Sequence, residues 1–178
     1  IKLLESNLEK EIDLKAIVIK SSNPDYFATG PLIKEIAELD REGARYYVTL
    51  INILTKHITE SAVPVICIIN GAVSGIGLDI ASSCDFRLAG EKASFADFSS
   101  KYGILYPSHI ILRMSFLIGV QKTKEILLSS KTYTAKEMLR FNFISEYFDG
   151  SNFENGVKEF IENFKNLSVD SLRLKKKL

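Results

Sequence analysis

Apolar positions along the chain alternate between two rhythms. Leu4, Leu8 and Ile12 recur every four residues, which predicts an amphipathic helix over 1–12. Lys15-Ala16-Ile17-Val18-Ile19-Lys20 is a β-branched run of buried-strand length. Helical spacing returns over 32–60, with Ile33, Ile36 and Ala37, then Val48, Ile51, Leu54 and Ile58, and a break near 40–43. Short strands are expected at 65–69, 86–90 and 93–95, the last two separated by the polar turn Glu91-Lys92. A helical turn over 97–102 and a loop over 103–108 follow. Residues 110–118 are apolar nearly all round and predict a buried helix, which Gly119 ends before another begins. Thr134-Ala135-Lys136-Glu137 has the form of a capping box, then come a strand at 143–148, a helix at 153–164 and a last helix from 168. Lys175 to Lys177 read as a solvated face of that helix. Strands alternating with helices imply an α/β fold, with segments 16–19, 65–69, 86–89 and 144–147 stacked mainly parallel.

Candidate chemistry concentrates in residues 63–85. The strand Val65 to Ile69 runs into Asn70-Gly71, a turn pair, and Gly75 and Gly77 then flank Ile76. A short helix is expected from Gly77, with Leu78, Ala81 and Ser82 near one face. Strand, glycine bend and helix start together aim backbone N–H groups at one spot, suited to an anion or a developing oxyanion. The nucleotide fingerprints fail. No third glycine completes a dinucleotide loop after Gly75-Ile76-Gly77, and no Gly-Lys-Ser/Thr follows. A tight turn without chemistry is the other reading of this stretch.

Composition narrows the classes. The chain has 178 residues, 46% of them hydrophobic and 25% charged, and a formal net charge of +1. That balance fits one globular domain and gives no reason to expect nucleic acid or a membrane surface as partner. No apolar run approaches the roughly 20 residues of a membrane span. Cys67 and Cys84, the two cysteines, both sit in apolar settings, so reduced thiols and a cytoplasmic location are expected. The two histidines, His57 and His109, are far apart and no metal site is drawn. His57 reads as a hydrogen-bonded helix histidine.

Pro64 to Gly71, then Gly75 and Gly77, then Cys84-Asp85 resemble the hallmark of the crotonase (enoyl-CoA hydratase/isomerase) family. The resemblance runs over almost the whole chain. It implies a fold of repeated ββα units, a spiral of short strands with outer helices. Residues 1–178 would be one such core, expected to lack part of the N-terminal strands and the C-terminal trimerisation helices. The implied partner is an acyl thioester of coenzyme A or of an acyl-carrier protein. Coenzyme A or phosphopantetheine would arrive with the substrate, no cofactor would be bound permanently, and the assembly would be a homotrimer or a dimer of trimers. The stretch 103–122, with Pro107 and Ile118-Gly119-Val120-Gln121-Lys122, is similar to members from polyketide pathways.

The same resemblance assigns positions. Ile76 supplies one oxyanion N–H, where the family usually has a glycine. The other donor would follow Gly30, where Pro31 has no N–H. A local slip of register, another donor or a missing half of the hole would each account for that. Asp79 matches the first catalytic acid, one methylene shorter than the usual glutamate. Ser99 stands where the second glutamate belongs, and a serine is no base near neutral pH without a partner. Asp97 is expected on a different face from Ser99, while Tyr102, Tyr106 and His109 are nearby alternatives. Gly30 and Gly75 would border the thioester, and Lys34 either meets the coenzyme A phosphates or is a solvated helix lysine. Asp79 itself also suits an acid placed in a helix's first turn by the macrodipole. Thioester chemistry of hydratase or lyase type leads. A non-catalytic protein kept for assembly or ligand binding stands as the alternative, favoured by Pro31, Ile76 and Ser99.

Overall fold

The computed structural model describes residues 14–31, 33–105 and 107–177. The helix expected over 1–12, Leu32 and Tyr106 lie outside the described residues. Within them the chain repeats one unit three times: a strand of one sheet, a strand of a second sheet, then helix. The first unit is β1 (Ile17–Lys20), β2 (Tyr26–Ala28), α1 (Ile33–Ala37) and α2 (Arg41–Thr59). The second is β3 (Val65–Ile69), β4 (Ala72–Ser74) and α3 (Ile76–Ser83). The third is β5 (Phe86–Gly90), β6 (Ser94–Ala96), a 3₁₀ turn (Ser99–Tyr102) and α4 (Ser108–Ser129). Then follow β7 (Thr132–Thr134), α5 (Ala135–Arg140), β8 (Glu146–Phe148), α6 (Phe153–Glu162) and α7 (Val169–Lys176). This is the expected α/β architecture of repeated ββα units.

The strands form two four-stranded sheets, ordered β1-β3-β5-β8 and β2-β4-β6-β7. The first is parallel throughout, and the second is parallel except where β6 meets β7. The predicted strands all fall in the first sheet apart from β6; β2, β4 and β7, each three residues long, were not expected.

Strand alternation explains the two cores. Val65, Cys67 and Ile69 of β3 face the main core, with Leu78 of α3, Phe95 of β6 and Met138 of α5. Ile66 and Leu88 point the other way, onto Phe153 and Val157 of α6. Each such aliphatic side chain, fully withdrawn from water, contributes about 1.5–3 kcal/mol. Arg87 is buried among carbonyls and donates to those of Phe143, Ala81, Cys84 and Asp85. Burial lowers its pKa from the ordinary arginine value. Both cysteines are free and buried, and burial, reinforced by the Cys84 thiol, pushes the Cys67 thiol well up, so it is inert.

Three local expectations are met. Asp40 caps α2 by accepting from the Gly43 N–H at 2.7 Å, which accounts for the break before Arg41. Thr134 and Glu137 form the capping box of α5. Gly119 leaves helical geometry, with φ 79°, and kinks α4. One is corrected. The helix over 110–118 is not buried all round: Ile110 and Met114 are at 0% exposure, but Leu112 is 59% and Phe116 89% exposed. One face of the helix packs on the core and the other is exposed.

Among the glycines the closest approach to a neighbour is at Gly77, near the start of α3. A Cβ on Gly77 would stand 1.9 Å from the Ala28 carbonyl oxygen, a contact no side chain survives. Gly77→Ala must therefore push α3 off β2 and should destabilise the fold by about 2–3 kcal/mol. Urea unfolding at equilibrium checks this; an unchanged midpoint would contradict the packing.

Candidate active site

The strand-to-helix connection is built as the glycines require. β4 ends at Ser74, whose hydroxyl donates to the Thr29 carbonyl at 3.2 Å. Gly75 then takes φ +55°, a value that L side chains rarely adopt, and lets the chain turn into α3. Ile76 is the first residue of α3, one position earlier than expected, and its N–H has no acceptor within the helix. The Gly30 loop comes alongside: a Cβ there would lie 3.8 Å from the Ile76 nitrogen. The Gly30 loop thus meets Ile76, and the residue after Gly30 is Pro31. Ile76 remains the backbone donor of this pair, at the positive end of a helix.

Around this junction lies a cleft of about 410 Å³ between α1, α2, the start of α3 and the segment after β6. Gly30, Pro31, Gly75, Ile76, Asp79 and Ser99 all line it. Ile33, Ile36, Val48 and Ile51 give it an apolar wall, with Tyr47 and Tyr102 as polar tips. Burial raises the Tyr47 phenol above its usual pKa, so it keeps its proton and can donate. Lys34 is exposed on α1 and does not line the cleft. His57 is exposed near the end of α2, away from the cleft lining. A second depression, about 720 Å³ between β1 and α6, contains none of the candidate residues.

Asp79 is 2% exposed and its two oxygens are both engaged. Oδ1 accepts from Arg113 Nη1 at 2.6 Å, and Oδ2 lies 3.2 Å from His109 Nε2. His109 and Arg113 are four residues apart on α4, so one helix face presents both to one carboxylate. An unpaired carboxylate at this depth would be costly, and these partners offset that. Sequence reasoning noticed His109 but missed Arg113; the four-residue spacing was the available sign.

Ser99 and Asp97 correct another expectation. They share one side of the cleft: the Ser99 hydroxyl donates to Asp97 Oδ2 at 2.7 Å, and the Ser99 N–H to Oδ1 at 3.0 Å. The 3₁₀ turn starts only at Ser99, so Asp97 precedes it and folds back onto it. The cleft therefore holds two buried carboxylates, Asp79 and Asp97. Among the described residues no group of three or more His, Cys, Asp or Glu could hold a metal ion. Nor is any helix among them long and apolar enough to cross a membrane.

The enoyl-CoA hydratase/isomerase family profile matches residues 3–178. The chain belongs to the enoyl-CoA hydratase/isomerase family. It is 25% identical over 169 residues to the short-chain-enoyl-CoA hydratase of Clostridium acetobutylicum, covering 95% of this chain and 65% of that protein. It is 28% identical over 138 residues to human mitochondrial methylglutaconyl-CoA hydratase, covering 78% and 41%. The chain thus spans less than two thirds of the length of these curated relatives. Its structure superposes on an enoyl-CoA hydratase of Thermoplasma volcanium with TM-score 0.89 and 26% identity, covering 99% of this chain and 69% of that one. For an enoyl-CoA hydratase of Bacillus anthracis the TM-score is 0.90 at 24% identity, again over 99% and 69%, a likeness of fold.

The Asp79–Arg113 pair generates a stability prediction. Arg113→Leu strips the carboxylate of its nearest cation and should cost about 3 kcal/mol, whereas Asp79→Leu with Arg113→Leu should recover part of that loss. Thermal or urea unfolding of the two variants decides it; a neutral Arg113→Leu would contradict a tight buried pair.

Proposed function

We propose that this chain processes acyl-coenzyme A thioesters by hydratase or lyase chemistry. One observation carries the reading: a single apolar cleft gathers the Gly30 loop, the Ile76 N–H, Asp79 and Ser99. The thioester carbonyl oxygen lies against the Ile76 N–H, and the positive end of α3 favours the enolate charge that develops there. Hydration adds the oxygen of a water to C3 of an enoyl thioester, while C2 gains a proton. Asp79 takes up the proton that the water loses and delivers a proton to C2, with His109 paired on its Oδ2. Arg113 holds the carboxylate in one orientation. The apolar wall takes the acyl chain.

Turnover on a panel of enoyl- and 3-hydroxyacyl-thioesters, of coenzyme A and of a carrier protein, tests the reading. Activity is expected on coenzyme A substrates. Asp79→Asn should lower the rate by about 10²–10⁴-fold with thioester binding nearly intact. The pairing of Asp79 with Arg113 at 2.6 Å also favours a second reading, in which the fold is kept for binding. Thioester binding without turnover, unaffected by Asp79→Asn, would establish that one instead.

Assembly follows the same reading. Phe116 and Leu112 on the outer side of α4, with Leu105 at 91% exposure before it, form an apolar face that a trimer would cover. Sedimentation at micromolar concentration should show a species larger than a monomer, and Phe116→Glu should shift it downward. A monomeric wild type would remove the claim.

A further inference from the structure

The cleft holds a second pair of reactive groups that hydration of an enoyl thioester does not use. Asp97 is 1% exposed and belongs to the cleft wall, and Ser99, half-buried, lines the same wall. The polar contacts of the Asp97 carboxylate among the described residues are both with Ser99. The Ser99 N–H donates to Oδ1 at 3.0 Å and the Ser99 hydroxyl to Oδ2 at 2.7 Å. Asp79, in contrast, is occupied by Arg113 and His109. A serine hydroxyl becomes a nucleophile when a base in hydrogen-bond contact takes its proton as the new bond forms. Ser99 and Asp97 stand in that relation. The N–H on Oδ1 turns the carboxylate so that Oδ2 faces the hydroxyl.

Attack on a carbonyl also needs a donor for the charge that develops on its oxygen. Ile76, whose N–H has no acceptor within α3, lines the same cleft. We infer that the cleft hydrolyses acyl thioesters through an acyl-serine at Ser99, with Asp97 as the base. The inference rests on the thioester reading above and adds a second reaction to it. In the first step a bond forms between Ser99 Oγ and the thioester carbon, and the carbon–sulfur bond breaks. The hydroxyl proton passes to Asp97 Oδ2 and from there to the departing sulfur. In the second step the oxygen of a water attacks the acyl carbon and Asp97 takes the water's proton. That proton returns to Oγ as the ester bond breaks, so thioester and water become carboxylic acid and thiol. The leaving group sets the substrate class. An alkyl thiol, of pKa about 8.5 as in cysteine, departs readily, so a carboxylate without an imidazole suffices for thioesters. An amide nitrogen, a far poorer leaving group, would need a stronger acid.

The test uses butyryl-CoA, which has no double bond to hydrate and no hydroxyl to eliminate. Calorimetry reads its binding, a thiol-reactive dye reads released coenzyme A, and mass spectrometry of acid-quenched protein reads the acyl group. The wild type should release thiol and carry one butyryl group, mapped to Ser99. In Ser99→Ala the release should fall to the rate in protein-free buffer and the label should vanish. Ser99→Cys should still carry the label, since a thiol is also a nucleophile. Asp97→Asn keeps the shape but accepts no proton, and should slow thiol release by about 10²–10⁴-fold. Unfolding temperatures check that each variant is folded. Bound butyryl-CoA without thiol release, or release that survives Ser99→Ala, would overturn the acyl-serine while leaving the thioester reading in place. Failure to bind butyryl-CoA would overturn the thioester reading and this inference together.

Discussion

The approach of α3 to β2 is the contact on which the rest depends. Gly77 lies so close to the Ala28 carbonyl that a single added carbon would overlap it. This brings the start of α3 against the end of β2, and so brings Gly30 beside the Ile76 nitrogen. The hydrogen bond from Ser74 to Thr29 fixes the same junction from β4. Two repeats of the fold thereby meet at one point, where the Ile76 N–H is not spent within its helix. The cleft lies where they meet.

Charge is handled locally around that junction. Asp79 is buried but doubly partnered by one face of α4, so a rigid helix sets its orientation. Asp97 is buried with hydrogen bonds from Ser99. The two carboxylates are held by different elements, α3 and the segment after β6, and they differ in partners: arginine and histidine side chains for one, a hydroxyl and an amide for the other. At the other end of α3, Asp85 accepts from the Val65 N–H at 2.6 Å and pairs with Lys176 of α7. That pairing anchors the last helix to the stretch that carries the site.

Much of the first sheet was legible in the sequence, most clearly at β3, which is covered on both faces and reads as an unbroken apolar run. Of the second sheet only β6 was legible. Its other strands, β2, β4 and β7, are three residues long, too short for alternation to register, and pair with distant segments. An all-round apolar pattern over 110–118 was read as burial, but the pattern does not say which surface does the burying. In the site, Gly30, Gly75, Ile76, Asp79 and Ser99 were found by motif and do line one cleft. Arg113 was missed since it lies 34 residues from the carboxylate it binds. Asp97 was set on the wrong face because helical geometry was assumed from residue 97, two residues before the turn begins.

The central claim is that the Ile76 N–H receives a thioester carbonyl, and its amide resonance reports on this directly. In a ¹H–¹⁵N titration with a non-reactive acyl-coenzyme A thioester, the Ile76 amide proton should move downfield and saturate with the binding isotherm, as a newly formed hydrogen bond requires. A thioester that binds while the Ile76 resonance stays in place would contradict the account.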